Sequence, residues 1–215
     1  RPTKLVSRHL MAGGTRASAD RMLRDIYDVS PQRRQLCLDA AEATMEALHR
    51  QQPGDIYLYV GIPFCPTRCI YCSFVSAATE KSGKLIPPYL EALGREIHAA
   101  AEGLRQNPRR IRTVYIGGGT PTTLSARELT WLLNTLHREF DLSHCLEFTV
   151  EAGRPDTLDP EKLLAIRQGG ATRISINPQT MDDRVLAIMG RSHTSADILR
   201  AYQQALEAGH RDINM

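Results

Sequence analysis

No stretch of the 215-residue sequence approaches the ~20 consecutive apolar residues that a membrane-spanning helix requires. The N-terminus, Arg1-Pro2-Thr3-Lys4, lacks the apolar core of a secretory signal and does not begin with Met. An excess of one charge is missing as well. Twenty-seven Lys and Arg face 24 Asp and Glu, interspersed, so the net charge of +3 singles out neither nucleic acid nor an anionic membrane as a partner. A cytoplasmic chain, cut at the front, is expected. The sequence also stops at Asn214-Met215, inside what reads as a strand, so truncation at both ends is expected. Cysteine is scarce and odd in number: Cys37, Cys65, Cys69, Cys72 and Cys145. Three of the five fall within eight residues, too close for a strain-free disulfide, which points to metal or redox chemistry instead.

What is present divides in two. Residues 1–54 read as a wholly helical accessory segment. A helix is expected over about Ser18 to Tyr27, with Met22, Leu23 and Ile26 on one side. A second runs from Gln32 to Gln51, opened by Ser30 as N-cap and Pro31 at the first helical position, with Leu36, Ala40, Ala43, Ala47 and Leu48 at helical spacing. From Asp55 the pattern changes. Strands are expected at 56–62, 112–116, 146–151, 172–176 and from 212. Between them lie helices at about 88–103, from the capping box Ser125-x-x-Glu128, at 159–168, at 182–189 and at 195–208. Such alternation implies βαβ units and a parallel sheet, so 55–215 is expected to be an α/β fold: a partial β/α barrel of five βα units, or a doubly wound sheet. In either case reactive groups belong at the C-terminal ends of the strands.

The cysteine motif stands at such an end. Cys65-Pro66-Thr67-Arg68-Cys69-Ile70-Tyr71-Cys72 directly follows the first strand, with spacing C-x3-C-x2-C. Three thiolates from one loop can reach three corners of a [4Fe-4S] cluster and leave one iron open, unlike the four-cysteine ligation of an electron-transfer cluster. A structural zinc site would need a fourth Cys or a His, and none lies within twenty residues after Cys72. Cys145 or Cys37 could serve as a distant fourth cluster ligand, but Cys145 precedes the third strand, at the wrong end, and Cys37 sits on a helical face. Gly117-Gly118-Gly119-Thr120-Pro121-Thr122 follows the second strand and lets backbone approach a ligand closely. It lacks the lysine of a phosphate-binding loop.

The cysteine spacing with Tyr71 before the last Cys resembles the radical S-adenosylmethionine (SAM) superfamily. Tyr59 to Cys65 and Gly117 to Thr122 resemble the oxygen-independent coproporphyrinogen III oxidase family. Glu151-Ala152-Gly153-Arg154-Pro155 and Ile176-Asn177-Pro178-Gln179-Thr180 bring the likeness to its HemZ-type (coproporphyrinogen dehydrogenase-like) branch, over about Tyr57 to Met215. The resemblance implies a partial radical SAM barrel with Cys65, Cys69 and Cys72 on a [4Fe-4S] cluster. It implies that Gly118, Gly119 and Thr120 grip the SAM amino group, that Glu151 holds its ribose hydroxyls or amino group, and that Tyr59 and Tyr71 lie beside the cofactors. Gln179 and Arg191 fall where the oxidases line a second SAM, and Arg191 could instead take a propionate. Arg173 is expected to face the barrel interior and to pair with Glu151. The implied reaction is oxidative decarboxylation of a porphyrinogen-type substrate, with an electron donor such as flavodoxin or ferredoxin. Two departures are visible. Cys72-Ser73-Phe74 replaces the Cys-x-Cys of the oxidases proper, and Gly61 stands where they carry His. These leave open a haem-trafficking relative, or a radical enzyme with another substrate.

Overall fold

Hydrophobic periodicity changes near residue 54, and the structure divides there. The computed structural model describes residues 2–215, in two compact units that meet in sequence at Pro53 and Gly54. The first unit holds three helices, α1 (Pro2–Met11), α2 (Arg16–Asp25) and α3 (Pro31–His49), around Val6, Ala19, Leu23, Leu38 and Ala41. A capping box between Thr15 and Ser18 opens α2. Two expectations fail here. Ile26 is 71 % exposed, and on α3 the buried side is Leu38 and Ala41, while Leu36 is 64 % exposed. α3 carries small or apolar residues around much of its circumference, so periodicity alone does not fix which stripe meets α1 and α2. Ser30 occupies the N-cap position without a side-chain bond, and Pro31 alone marks the start.

The second unit is built on a five-stranded, all-parallel sheet. Its strands are β1 (Asp55–Ile62), β4 (Arg110–Gly118), β5 (Glu147–Glu151), β6 (Arg173–Ser175) and β7 (Asp212–Asn214), adjacent in that order. Two short strands, β2 (Phe64–Cys65) and β3 (Ala77–Ala78), pair with each other beyond the end of β1. A short helix α4 (Thr79–Ser82) leads to α5 (Ile86–Gln106), and α6 (Ala126–Glu139), α7 (Pro160–Gln168), α8 (Asp183–Ile188) and α9 (Ser195–Glu207) complete the chain order. The helix starts match residue chemistry. Ser125 with Glu128 and Thr194 with Asp197 form capping boxes, and Asp159 accepts from the Lys162 amide at 2.8 Å.

Period-two alternation sorts the strand residues. Val60, Ile62, Val114, Ile116, Phe148, Val150, Ile174 and Ile176 join one core with Leu90, Leu93 and Ile97 of α5, Leu129, Leu132, Leu133 and Leu136 of α6, and Leu163 and Ile166 of α7. Each fully buried leucine there contributes roughly 1.5–3 kcal/mol relative to exposure. The alternate positions are polar: Tyr59 on β1, Thr113 and Tyr115 on β4, Glu147, Thr149 and Glu151 on β5, Arg173 and Ser175 on β6. One face of the sheet is thus a helix-covered core. The other is a polar wall, unlike the branched apolar filling usual inside a β/α barrel.

Candidate active site

The cysteine loop leaves the sheet at the C-terminal end of β1 and is closed at its base by the β2–β3 pair, with the Ala77 amide donating to the Pro63 carbonyl at 2.8 Å. The glycine run beside it, at the end of β4, is stapled to the same segment. The Gly119 amide donates to Ile62 O at 2.8 Å, the Thr120 amide to Phe64 O at 2.7 Å, and the Thr120 hydroxyl reaches Cys65 Sγ at 3.4 Å. This contact is why glycine is needed. A Cβ at Gly119 would stand 2.6 Å from Phe64 O and 3.0 Å from Cys65 Sγ, and Gly118 has φ +110°, a conformation that side-chain-bearing residues avoid.

A cavity of about 140 Å³ opens where these strand ends meet. Cys65, Cys69 and Cys72 line it, with Tyr71 and Phe74 from the same loop, Gly118, Gly119 and Thr120 from the glycine run, Glu151, Gly153 and Arg154 after β5, and Asn177, Gln179 and Arg191 beyond β6. The structure therefore brings together every residue named above as a cluster or SAM contact except Tyr59. That side chain is 62 % exposed, so it is no core residue, and it stacks on Tyr115 with ring centroids 5.8 Å apart.

Glu151 is held by Tyr115, whose hydroxyl donates to Oε1. Burial, then this hydrogen bond to a carboxylate, pushes the Tyr115 phenol well above its ordinary range, so it remains a donor. Arg173 does not pair with Glu151. It lies 3.1 Å from Glu147 and 3.7 Å from Asp212. The register accounts for this: Arg173 stands opposite Thr149 and Asp212, whereas Glu151 stands opposite Ser175, two residues or roughly 7 Å farther along the strands.

The cluster loop is also tied down from the far side. Thr67 Oγ1 donates to Gly190 O at 3.0 Å, and the Ile70 amide donates to Met189 O at 3.2 Å. Arg191 braces the mouth, donating to Gly153 O at 2.8 Å and to the Tyr71 hydroxyl at 3.0 Å. Its Nε is buried with no hydrogen-bond partner among the described residues. Gln179 has φ +67°, a left-handed backbone rare for a side-chain-bearing residue and of a kind that concentrates at functional sites.

One participant escapes sequence reasoning. Arg154 is 3 % exposed and donates to Cys69 Sγ at 3.2 Å and Thr67 Oγ1 at 2.5 Å, with Asp156 at 3.4 Å. Burial would raise the Asp156 pKa, but the Ser192 hydroxyl and the Arg154 charge outweigh it, and the carboxyl titrates below its usual range. The only available signal was an arginine placed three residues past a strand-end glutamate, within Glu151-Ala152-Gly153-Arg154-Pro155.

The donor set suits an iron–sulfur cluster. The cysteine loop contributes three thiols and no carboxylate or imidazole to the cavity. Among the described residues, no three His, Cys, Asp or Glu side chains converge on a single point as they would for one ion. Cys145 and Cys37 stand elsewhere. Cys145 is half-buried two residues before β5, with Sγ 3.3 Å from Glu147 O, and Cys37 packs against the core of the helical unit. Among the described residues no helix is long and apolar enough to cross a membrane.

Comparison with known proteins shows the family of the chain. The radical SAM superfamily model matches residues 59–215. The chain is 35 % identical, over its whole length, to the oxygen-independent coproporphyrinogen-III oxidase-like protein HemZ of Bacillus subtilis, and covers 44 % of that protein. It is 34 % identical over 77 % of its length to the heme chaperone HemW of Lactococcus lactis, covering 41 % of it. The structure of coproporphyrinogen III oxidase (HemN) from Escherichia coli superposes with a TM-score of 0.67 at 27 % identity, covering 80 % of this chain and 39 % of that one. The chain thus spans less than half the length of these relatives.

Proposed function

Because the chain belongs to the radical SAM superfamily, whose members use a [4Fe-4S] cluster and S-adenosylmethionine, we propose that Cys65, Cys69 and Cys72 hold the cluster and that the adjoining cavity receives SAM at its open iron. The observation that carries this is the convergence of the three thiols, the glycine run, Glu151, Gln179 and Arg191 on one cavity at the C-terminal ends of parallel strands. When bound, cluster and SAM supply one-electron cleavage of the sulfonium C–S bond and hence a carbon radical able to remove a hydrogen atom.

The protein's part is binding and orientation. The amides of Gly119 and Thr120 are already spent on Ile62 and Phe64, and the Thr120 carbonyl accepts from Thr123, so the acceptors we assign to a ligand are the carbonyl oxygens of Gly118 and Gly119. Those acceptors, with the Glu151 carboxylate, suit the SAM ammonium or ribose hydroxyls. Tyr115 fixes one oxygen of that carboxylate and leaves the other for the ligand. Tyr71, braced by Arg191, flanks the cavity. Gln179 and Arg191 line its far side, fitting a second SAM or a substrate carboxylate. The helical unit ending at Pro53 reads as an accessory segment, and the setting as cytoplasmic.

For substrate we take a porphyrinogen. The proposed reaction is oxidative decarboxylation of coproporphyrinogen III, in which a propionate gives a hydrogen atom to the carbon radical and then loses CO2 and one electron, the electron passing to a separate one-electron acceptor, to leave a vinyl group; flavodoxin or ferredoxin would reduce the cluster. The likeness to HemZ and HemN supports it. A haem-trafficking role is the second reading, favoured by Gly61, by Cys72-Ser73-Phe74 and by the likeness to HemW. Anaerobic incubation with reductant, SAM and coproporphyrinogen III decides between them. Vinyl product supports the oxidase. Tight haem binding without product supports trafficking. Deoxyadenosine without porphyrin turnover indicates another substrate.

A further inference from the structure

Arg154 has no part in the roles above, yet among the described residues no other lysine or arginine is buried so completely. Burying a guanidinium is costly unless its donors are met. Here they are met in a particular way. One arm of the fork, Nη2, pins the cluster loop through Thr67, which passes the bond on to Gly190 O. That arm would suffice for a structural pin. The other arm, Nη1, donates to the sulfur of Cys69 itself at 3.2 Å. The three cysteines are not treated alike, since among the described residues Cys65 Sγ meets only the neutral Thr120 hydroxyl at 3.4 Å. Behind the guanidinium stands Asp156, 3.4 Å from Nε, held by the Ser192 hydroxyl at 2.8 Å and by His193 at 3.3 Å. The guanidinium thus stands between the Cys69 sulfur and a counter-carboxylate.

Hydrogen bonds to ligating sulfur and nearby net charge set the potential of an iron–sulfur cluster. A charged donor does both. It draws electron density from the thiolate, and its positive charge favours the cluster state that carries one electron more, the more so where water is excluded. We propose that Arg154 is a positioning residue that raises the reduction potential of the cluster through its bond to Cys69, and that Asp156 attenuates the effect by partly neutralising it. This rests on the cluster assignment made above.

The test is an anaerobic redox titration of the reconstituted full chain, followed by the electron paramagnetic resonance (EPR) signal of the reduced cluster, with iron and sulfide measured per chain. R154Q keeps a donor but loses the charge, and its midpoint is expected to move to more negative potential than wild type. D156N removes the counter-charge, and its midpoint is expected to move the opposite way. A loaded R154Q cluster with the wild-type midpoint overturns the inference and leaves Arg154 a pin. If R154Q takes up no cluster, D156N decides. A less negative midpoint sustains the inference, and a wild-type or more negative one overturns it. Wild-type chain that takes up no cluster overturns the cluster assignment together with this inference, whereas failure confined to the variants leaves that assignment standing.

Discussion

At the scale of single residues the polar wall of the sheet turns on Tyr115 and Glu151. The phenol is kept protonated by burial and by its carboxylate partner, so it can only donate, and it fixes Glu151 in one orientation. Y115F removes that bond while keeping the ring stacked near Tyr59. A hydrogen bond to a charged group is worth about 1.5–3 kcal/mol. If Glu151 contacts SAM, the variant should weaken SAM binding by about tenfold in calorimetric titration, beside a loss of stability from the same bond. His210 gives a second prediction. Its imidazole is buried and its Nε2 lies 3.0 Å from Leu163 O. Burial lowers its folded pKa below 6.5, Leu163 opposes this and the Arg167 charge adds to it. Above the unfolded pKa both states are neutral and nothing is lost. Below it the unfolded chain binds a proton that the folded chain resists, so stability falls as pH drops from about 6.5 toward the lowered pKa. Melting temperature followed from pH 7.5 to 5.5 should fall in wild type and fall less in H210Q. Among these residues the cysteines were legible because their geometry is local to eight positions. Arg154 and Tyr115 were not, because their partners lie 85 and 36 residues away in sequence and are fixed only by the sheet.

At the scale of elements, α6 shows how far pattern carries. Leu129, Leu132, Leu133 and Leu136 repeat at helical spacing behind the Ser125–Glu128 box, and all four are fully buried. Leu132→Ala should cost roughly 2–5 kcal/mol by the lost transfer energy and the cavity left behind. Ser125→Ala should cost only about 1 kcal/mol, because a solvated helix end recovers part of its bonding from water. Urea denaturation distinguishes the two. The parallel strands were as legible as α6, since their β-branched residues alternate with polar ones in a way few helices could. The extent of α3 was legible too, but its buried face was not, because its alanines leave several stripes equally plausible and only packing chooses Leu38 and Ala41. The mispaired Arg173 has a similar origin. Both strands were identified, but their relative register, which fixes a cross-strand partner, is absent from either segment alone.

At the scale of the whole molecule, five parallel strands set their C-terminal ends side by side, and the residues that single-sequence reasoning could only name one by one become the lining of one cavity. Tyr59 marks the boundary of that convergence. It lies on β1 in register with Tyr115, one pair of positions below Gly61 and Gly117, and so stands under the cavity and not around it. The central claim is that three cysteines hold a cluster whose fourth iron is open to SAM. The most direct measurement is the EPR spectrum of the anaerobically reconstituted, reduced chain before and after SAM is added. The account predicts a reduced-cluster signal whose shape changes on adding SAM and which is absent from Cys69→Ala. A cluster signal indifferent to SAM, or one that survives loss of Cys69, would contradict it.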